Sequence, residues 1–358
     1  MNDKTLMSTS ECIRGFCKAM GLSRVTKLVL TVQMDEPVKL EVTTLPPESA
    51  LSVFLRETYQ FELKEVPGSG KTIIEKVPRW YGDKGMTISA DVIADSISPL
   101  GIRITTMALV YPRFIHAELM THRVFSRNAS SSRATPIKRM LSEVWKHPAT
   151  PIHWGANQAG MQARTELSGI RMAAAALLWK WTGRVVCVPV WLMSKLGLHK
   201  QVANRLLEPW QHINVVVTAT DWDNFYNLRC HPDAQPEIQE LARAMRAAQV
   251  SSTPRRLQVG EWHLPYVSAT ELAETPVEAT IKISVARCCR VSYMNHGGKL
   301  STKGEDILLY NRLVEADPPH MSPLEHQAQC APDEGRYANF SGWISHRYQL
   351  ESEAFTLP

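Results

Sequence analysis

The sequence changes character near Met86, and this change constrains the fold more than any other feature. Before it, short runs rich in β-branched residues flank turn residues, at positions 25–32 and 38–44 and again at 59–66 and 72–77. Such pairs predict hairpins. After it, strand-like runs alternate with segments of helical periodicity. The sequence therefore predicts an α+β protein, with a small β-rich appendage over residues 1–85 and a larger domain over residues 86–358.

The larger domain contains several segments whose pattern predicts their type. Residues 87–92 and 101–106 resemble strands, and residues 114–121 have the apolar spacing of a helix. Residues 279–285 alternate as a strand does. Helices are predicted at residues 166–181, 200–207, 222–228, 236–249 and 304–316.

Composition restricts the compartment and the partners. With 358 residues, 44% of them hydrophobic, the chain can bury a substantial core. A net charge of +5 suits an anionic substrate as well as nucleic acid. Seven cysteines, an odd number without a CxxC pair, argue against a disulfide framework and favour the reduced cytoplasm. No secretory leader is expected, and residues 172–198 are too interrupted by charges and Pro189 to span a membrane, so they predict a buried helix and turn.

The densest group of polar side chains lies at residues 121–133, which we call the Ser/Arg loop. It includes Arg123, Arg127 and Arg133 together with a histidine, an asparagine and four serines. So many guanidinium, hydroxyl and amide donors predict a surface loop that binds phosphate. A flexible basic loop without a ligand has the same composition.

A second polar group, near the C-terminus, combines His320, Glu325 and His326 around Pro323. Two imidazoles and a carboxylate raise the question of a metal site. The HExxH register of a helical metal site is missing, however, and Pro323 interrupts any helix. We therefore predict no metal.

Residues 122–133 read HRxxSxNxxSxR, which resembles the RHRxxSxNExSxR signature of the flavin-dependent thymidylate synthases, the ThyX family. Three further blocks resemble the same family: Arg205 four residues before Pro209, residues 224–229 followed by 234–238, and residues 290–293 with 320–326. In the family the last of these blocks precedes the signature. The chain thus resembles a circularly permuted member, with residues 250–280 as the linker between the family's termini.

The resemblance implies a role for each matching position. It assigns flavin adenine dinucleotide (FAD) and its folate partner to His122, Arg123, Asn128, Asn224, Ser292, His320, Ser322 and Glu325, with His320 on the folate side. It assigns the nucleotide to Glu118, Ser131, Arg133, Arg205 and Arg229. Ser131 and Arg229 are the expected catalytic residues, because attack by uracil C5 places negative charge on ring oxygens, which a fixed guanidinium stabilises.

The implied reaction is C5 methylation of dUMP to dTMP, with methylenetetrahydrofolate as carbon donor and NADPH as reductant, in a homotetramer whose active sites lie between subunits. Thr121 replaces the first arginine of the signature, a loss that would weaken binding of the flavin phosphates unless the nearby Arg127 compensates. Two further departures leave the base and the product open: Ala129 replaces a glutamate and Glu118 a glutamine. Hydroxymethylation, or a dCMP substrate, is the alternative. From another class, a non-catalytic nucleic-acid-binding protein on this scaffold is the rival, although the modest charge disfavours nucleic acid. No membrane partner is expected.

Overall fold

The computed structural model describes residues 88–291 and 301–355, and four short strands between residues 32 and 76. The chain separates into two compact units, one with residues 1–84 and 168–173 and the other with the remaining residues. In the first unit, β1 (Val32–Gln33) pairs with β2 (Pro37–Val38), and β3 (Phe61–Val66) pairs with β4 (Lys71–Lys76), both antiparallel. The rest of the predicted appendage lies outside the described residues.

Within the described residues, the second unit is built on a five-stranded sheet in the order β7-β8-β6-β5-β9. The strands are β5 (Ser89–Ile97), β6 (Arg103–Pro112), β7 (Ser126–Ala129), β8 (His212–Ala219) and β9 (Arg255–Arg256). All pairs are antiparallel except β5 with β9. The central strands β6 and β8 are rich in apolar and β-branched residues because they are almost entirely buried.

Helices and one smaller sheet surround this sheet. The helices are α1 (His116–Met120), α2 (Ile137–Lys146), α3 (Gly169–Lys195), α4 (Lys200–Ala203), α5 (Asp223–Arg229), α6 (Pro236–Ser251), α7 (Ala269–Glu274), α8 (Val277–Arg290), α9 (Lys303–Val314) and α10 (His346–Phe355). In the described residues, 3₁₀ segments lie at Arg113–Ile115, Asn204–Trp210 and Ser322–Glu325. No helix in the described part of the chain is long and apolar enough to cross a membrane.

The main core joins the sheet to α1, α5 and α6. Met107 and Val217 of the sheet pack with Leu119, Phe225 and Leu241 of these helices, all of them buried. Helix α6 begins at a proline, whose missing N–H costs nothing at a first helical position, and the preceding Gln235 side chain accepts from two free amides. This core fixes the positions of α1 and α5, which carry candidate site residues.

The C-terminal segment forms a second, smaller sheet. Strands β10 (Trp262–His263), β11 (Ala328–Cys330) and β14 (Trp343–Ser345) pair in the order β10-β11-β14. Between the last two, β12 (Arg336–Tyr337) and β13 (Phe340–Ser341) form a hairpin. Phe340 and Trp343 are fully buried against Ile104 of β6, which attaches this segment to the main sheet.

The mixed helix and sheet architecture confirms the predicted α+β fold class. Two segment predictions were wrong. Residues 279–285 are part of helix α8, which is buried on nearly every side. Because such a helix has no polar face, its sequence lacks the alternation of apolar and polar residues that predicts a helix. Residues 126–129, predicted as loop, form strand β7, because pairing with β8 satisfies their backbone.

One longer prediction also needs correction, and another stays a prediction. The segment proposed as the linker, residues 250–280, is ordered and contains β9, β10 and α7. The apolar stretch at 172–198 is helical, but only one of its faces is buried. Cys187 and Val190 are buried, whereas Leu178, Val188 and Trp191 are about half exposed, because a surface helix packs one face only.

Candidate functional site

Arg229, in the last turn of α5, is the centre of a polar cluster. Its Nε donates to His122 Nε2 at 2.9 Å and its Nη2 donates to Thr121 Oγ1 at 3.2 Å. Its Nη1 lies 3.5 Å from Glu118 Oε2. Phe225, buried one turn earlier on α5, packs edge-on against the His122 ring with centroids 4.8 Å apart. We call Glu118, Thr121, His122 and Arg229 the Arg229 cluster.

The protonation of this cluster follows from its burial and its one guanidinium. Burial, assisted by Arg229 and Arg127, lowers the pKa of His122 to about 4, so its ring is neutral near pH 7. Because His122 Nε2 accepts from Arg229, the ring proton lies on Nδ1. Burial raises the pKa of Glu118, and Arg229 opposes that shift. The cluster therefore presents a guanidinium and a carboxyl group side by side, suited to a ligand edge that has both an acceptor and a donor.

A second polar group lies where β7 leaves the sheet. Glu208 Oε1 accepts from Ser132 Oγ at 2.8 Å and from Arg205 Nη1 at 3.2 Å. The buried Asn204 donates through Nδ2 to the carbonyl oxygens of Ser132 and Thr135, at 2.8 and 3.0 Å. These bonds fix the turn that carries the exposed Ser131 and Arg133. We call Ser131, Ser132, Arg133, Asn204, Arg205 and Glu208 the Glu208 cluster.

The two clusters lie at opposite ends of β7. Ser126 pairs with Thr218 at one end, and Ala129 pairs with Val215 at the other. This strand alone spans roughly 10 Å, three steps of about 3.3 Å each. Within one chain, the predicted nucleotide residues therefore form two groups. Glu118 and Arg229 lie with His122, whereas Ser131, Arg133 and Arg205 lie together elsewhere.

The turn that carries Ser322 and Glu325 packs near the Ser/Arg loop. Burial lowers the pKa of Arg127, and the carboxylate of Glu325 opposes this shift, which places the two charges close together. Arg127 Nη1 in turn donates to the carbonyl oxygens of His122 and Met120, at 2.7 and 3.2 Å. Segments that are distant in the sequence thus meet beside β7.

His326, which follows this turn, begins a buried chain of hydrogen bonds. His326 Nδ1 is 2.9 Å from Thr218 Oγ1, which is 2.7 Å from Thr106 Oγ1. Thr106 Oγ1 is 2.8 Å from His263 Nε2, and His263 Nδ1 is 2.9 Å from Ser96 Oγ. Burial lowers the pKa of both histidines to about 3, so both rings are neutral. These hydrogen bonds tie the turn to the main sheet and occupy the Thr218 hydroxyl.

The other predicted cofactor residues have mixed positions. Asn128 Nδ2 donates to the carbonyl oxygens of Cys288 and Cys289 at the end of α8, at 2.7 and 3.3 Å, so its amide nitrogen is committed to the fold. The side chains of four others are exposed to solvent and accessible to a ligand: Arg123, Asn224, His320 and Ser322. Ser292, with the following Tyr293 of its block, lies outside the described residues.

A cleft of about 240 Å³ opens beside β7, the Glu325 turn and the C-terminal segment. We call it the C-terminal cleft. It is lined by Ser126, Glu325, Ala338, Asn339, Phe340, Ser345, Arg347, Tyr348 and Glu351.

Sequence reasoning missed three residues that organise these groups, namely Asn204, Glu208 and Arg347. Asn204 and Glu208 act on the Ser/Arg loop from far along the chain, which no local pattern signals. Arg347 lies beyond every motif block, and its spacing of four from Glu351 was the one available sign of a partner. Over the described part of the chain, no three His, Cys, Asp or Glu side chains are grouped to hold a metal.

Comparison with known proteins agrees with the resemblance. Residues 88–255 match the family model described as thymidylate synthase complementing protein. No curated protein shows significant sequence similarity to the chain. Among solved structures, the UMP/dUMP methylase PolB from Streptomyces cacaoi is 17% identical, with a TM-score of 0.39, covering 46% of this chain and 88% of its own. The flavin-dependent thymidylate synthase ThyX from Helicobacter pylori, complexed with FAD and dUMP, is 17% identical, with a TM-score of 0.30, covering 41% and 67%.

Proposed function

Residues 88–255 belong to the thymidylate synthase complementing family, and from that premise we propose that the chain methylates dUMP at C5 to give dTMP. The family match supports the coarser statement that the chain is a one-carbon transferase acting on a pyrimidine nucleotide. In the full proposal, FAD is the bound cofactor, methylenetetrahydrofolate the carbon donor and NADPH the reductant. The observation that carries the proposal is the Arg229 cluster, which holds a guanidinium in fixed geometry on the matched segment.

Arg229 is suited to activate the pyrimidine. When uracil C5 attacks an electrophile, negative charge develops on the ring oxygens, and a preorganised cation stabilises it. The hydrogen bonds to His122 and Thr121 hold the Arg229 guanidinium before the substrate binds, while 22% of the side chain stays exposed. The neutral His122 accepts from Arg229 and adds no competing charge. The flavin, when bound, supplies the redox chemistry of the transfer.

The side chains of the candidate site can hold a flavin, although one arginine of the family signature is replaced. Arg123, Asn224 and Ser322 are exposed donors near the polar clusters, and Thr121 replaces the first arginine of the signature. The nearby Arg127 commits its Nη1 to two backbone carbonyl oxygens, so only its Nε and Nη2 could take over the missing contact. Loss of one guanidinium weakens an anion site by about 1.5–3 kcal/mol. We expect FAD to dissociate more readily than from a site with the full signature.

The separation of the two clusters supports a homo-oligomeric site, which we propose to be a tetramer. Ser131, Arg133 and Arg205 would come from one subunit, and Glu118, His122 and Arg229 from its partner. Mixing Arg133→Ala protein with Arg229→Ala protein should then restore activity, because some sites in the mixed oligomers receive both native clusters. If each subunit builds its own site, the mixture stays as inactive as its parts.

The motif order supports a circular permutation, which we also propose. The blocks at 290–293 and 320–326 lie outside the matched segment, yet Glu325 lies close enough to Arg127 to affect its pKa. The block at 320–326 therefore approaches the Ser/Arg loop, although it follows that loop in this chain and precedes it in the family.

Glu118 favours a second candidate, a cytosine nucleotide as substrate. An ionised carboxylate accepts from the exocyclic amino group of cytosine, whereas uracil offers an oxygen at that position. Burial raises the pKa of Glu118, and a protonated Glu118 would donate to that oxygen instead. An ionised Glu118 thus suits cytosine, and a protonated Glu118 suits uracil.

Product mass tests these candidates. FAD-loaded protein would be incubated with methylenetetrahydrofolate, NADPH and either dUMP or dCMP. A gain of CH₂ on dUMP supports the main proposal, and a gain of CH₂O, or a reaction of dCMP, supports the alternatives. If neither nucleotide changes and the protein binds polynucleotide with a steep salt dependence, the non-catalytic reading replaces both.

A further inference from the structure

Helix α3 has an apolar outer surface in addition to the apolar face that packs on the protein. Cys187 and Val190 are buried against α2, α4 and the 3₁₀ segment that follows α4. Val185 lies about 200° around the helix from Cys187, and it belongs to a stripe of apolar side chains that are exposed. The stripe, which we call the α3 surface, consists of Leu178, Trp181, Val185, Val188, Trp191 and Leu192.

An apolar surface on the outer side of a helix requires an explanation. The outer side of a surface helix normally carries charged and polar residues, and a helix that is apolar all round is normally covered all round. Val188, Trp191 and Leu192 are each about half exposed, and Leu196, just beyond the end of α3, is 86% exposed. Contiguous exposed apolar patches mark sites that bind a protein or a membrane. We therefore expect a partner to cover the α3 surface.

The charges around the α3 surface have one sign. Between Glu166 and Glu208 the sequence contains six lysines and arginines and no acidic residue. One of these cations is beside the exposed aromatic ring of the surface, because Lys195 Nζ lies 5.7 Å from the centroid of the Trp191 ring. The segment therefore attracts a partner of negative charge.

The neighbouring helix α2 has the same character where it meets α3. Arg184 Nε of α3 donates to the carbonyl oxygen of Trp145, in the last turn of α2, at 3.1 Å. The Trp145 side chain is about half exposed, and Lys146 beside it is also exposed. Glu143 of α2 is paired with Arg139 at 2.8 Å, so its negative charge is balanced within α2. Helix α2 thus adds another exposed tryptophan and another cation.

A lipid surface with anionic headgroups matches both the apolar side chains and the positive charge. Apolar side chains of a helix that lies on a membrane enter the boundary between headgroups and acyl chains, where tryptophan rings are enriched. Lysine and arginine side chains keep their charged ends among the headgroups. A second copy of this chain would instead bring the cations of one α3 near those of the other, and like charges across an interface repel.

We propose that the α3 surface binds the face of an anionic membrane, with α3 parallel to the membrane plane. This proposal replaces the expectation of no membrane partner. That expectation came from the charges and the proline that interrupt residues 172–198, and such interruptions oppose spanning but not binding in the plane of the interface. The proposal does not depend on the proposed function, because the α3 surface contains no residue of the Arg229 cluster or the Glu208 cluster.

Vesicle flotation of the full chain tests the proposal. The wild type should float with phosphatidylcholine vesicles that contain phosphatidylserine and should bind pure phosphatidylcholine vesicles more weakly. Leu192→Glu should weaken binding to the anionic vesicles by about tenfold or more, because it places a negative charge among the contacting apolar groups. Lys195→Gln should weaken it by about fivefold. Leu308→Glu, the same change at an exposed leucine of α9, should bind as the wild type does.

The thermal midpoint and the molar mass of each variant complete the test. Because Leu192 is about half exposed, Leu192→Glu should keep the midpoint of the wild type, and Val188→Glu provides a second variant of the same surface. A wild type that does not float, or binding that both variants leave unchanged, overturns the proposal. Equal binding to both kinds of vesicle overturns the choice of an anionic membrane. If the wild type does not float and both variants have a lower molar mass in light scattering, a second copy of the chain covers the α3 surface instead.

Discussion

Replacement of Arg229 by alanine should lower kcat strongly while it lowers the free energy of unfolding only slightly. The substitution removes the hydrogen bonds at 2.9 Å to His122 and at 3.2 Å to Thr121, together with the cation beside Glu118. Each such bond contributes about 1 kcal/mol, and the side chain is partly solvated, so the free energy of unfolding should fall by about 1–2 kcal/mol. A domain stable by about 5–15 kcal/mol stays folded after that loss.

The effect on turnover should be much larger. Loss of one preorganised donor to a developing oxyanion lowers kcat by about 10²–10³. The same variant should bind FAD normally, since Arg229 is assigned to the nucleotide. Its His122 should also titrate at a higher pH, because Arg229 is one of the two positive charges that lower the pKa of His122.

The assay compares kcat at saturating FAD with the thermal midpoint and the flavin content of the same samples. Arg139→Ala is the control, because Arg139 is half exposed, pairs with Glu143 on α2 and belongs to neither polar cluster. It should change neither kcat nor flavin content. An Arg229→Ala enzyme that keeps kcat within about threefold of the wild type would refute the role given to this arginine.

Three further predictions concern the stability of the fold around the site and its choice of substrate. Asn204→Ala should lower the free energy of unfolding by about 1–3 kcal/mol in urea titrations, because the carbonyl oxygens of Ser132 and Thr135 lose a buried donor; an unchanged midpoint argues against this support of the loop. A hydrogen bond from Arg287 lowers the pKa of Glu271 to about 2, so its stabilising contribution is complete above about pH 4.3 and is lost as the pH falls toward 2. Glu271→Gln should flatten that part of the stability profile, and an unaltered profile rejects the pairing. Glu118→Gln should shift the kcat/KM ratio toward dUMP over dCMP, and a ratio that does not move removes Glu118 from base selection.

The fold class was predictable because local patterns controlled most elements. The alternating runs before and after Gly101 became β5 and β6, and Pro236 began α6 where its missing N–H is harmless. Local pattern failed for α8, which is buried nearly all round, and for β7, whose polar residues are ordered by pairing with β8. In both cases tertiary contacts decide the structure, and they leave no periodic signal.

The candidate site was predictable residue by residue but not as an arrangement. The motif pointed to His122 and Arg229, which the structure places 2.9 Å apart across a long stretch of sequence. It also pointed to Asn128, whose amide nitrogen instead binds the end of α8. Arg347 could not be found from the motifs, because its role depends on Glu325 being brought to the base of α10 by folding.

A visible difference spectrum of the FAD-loaded protein, recorded during titration with dUMP and then with dCMP, shows whether a pyrimidine nucleotide binds beside the flavin. We expect one nucleotide to perturb the flavin bands saturably, and Arg229→Ala to retain the flavin but lose the perturbation. A protein that takes up no FAD, or flavin bands that neither nucleotide changes, would contradict the claim that this chain holds a pyrimidine nucleotide beside a flavin.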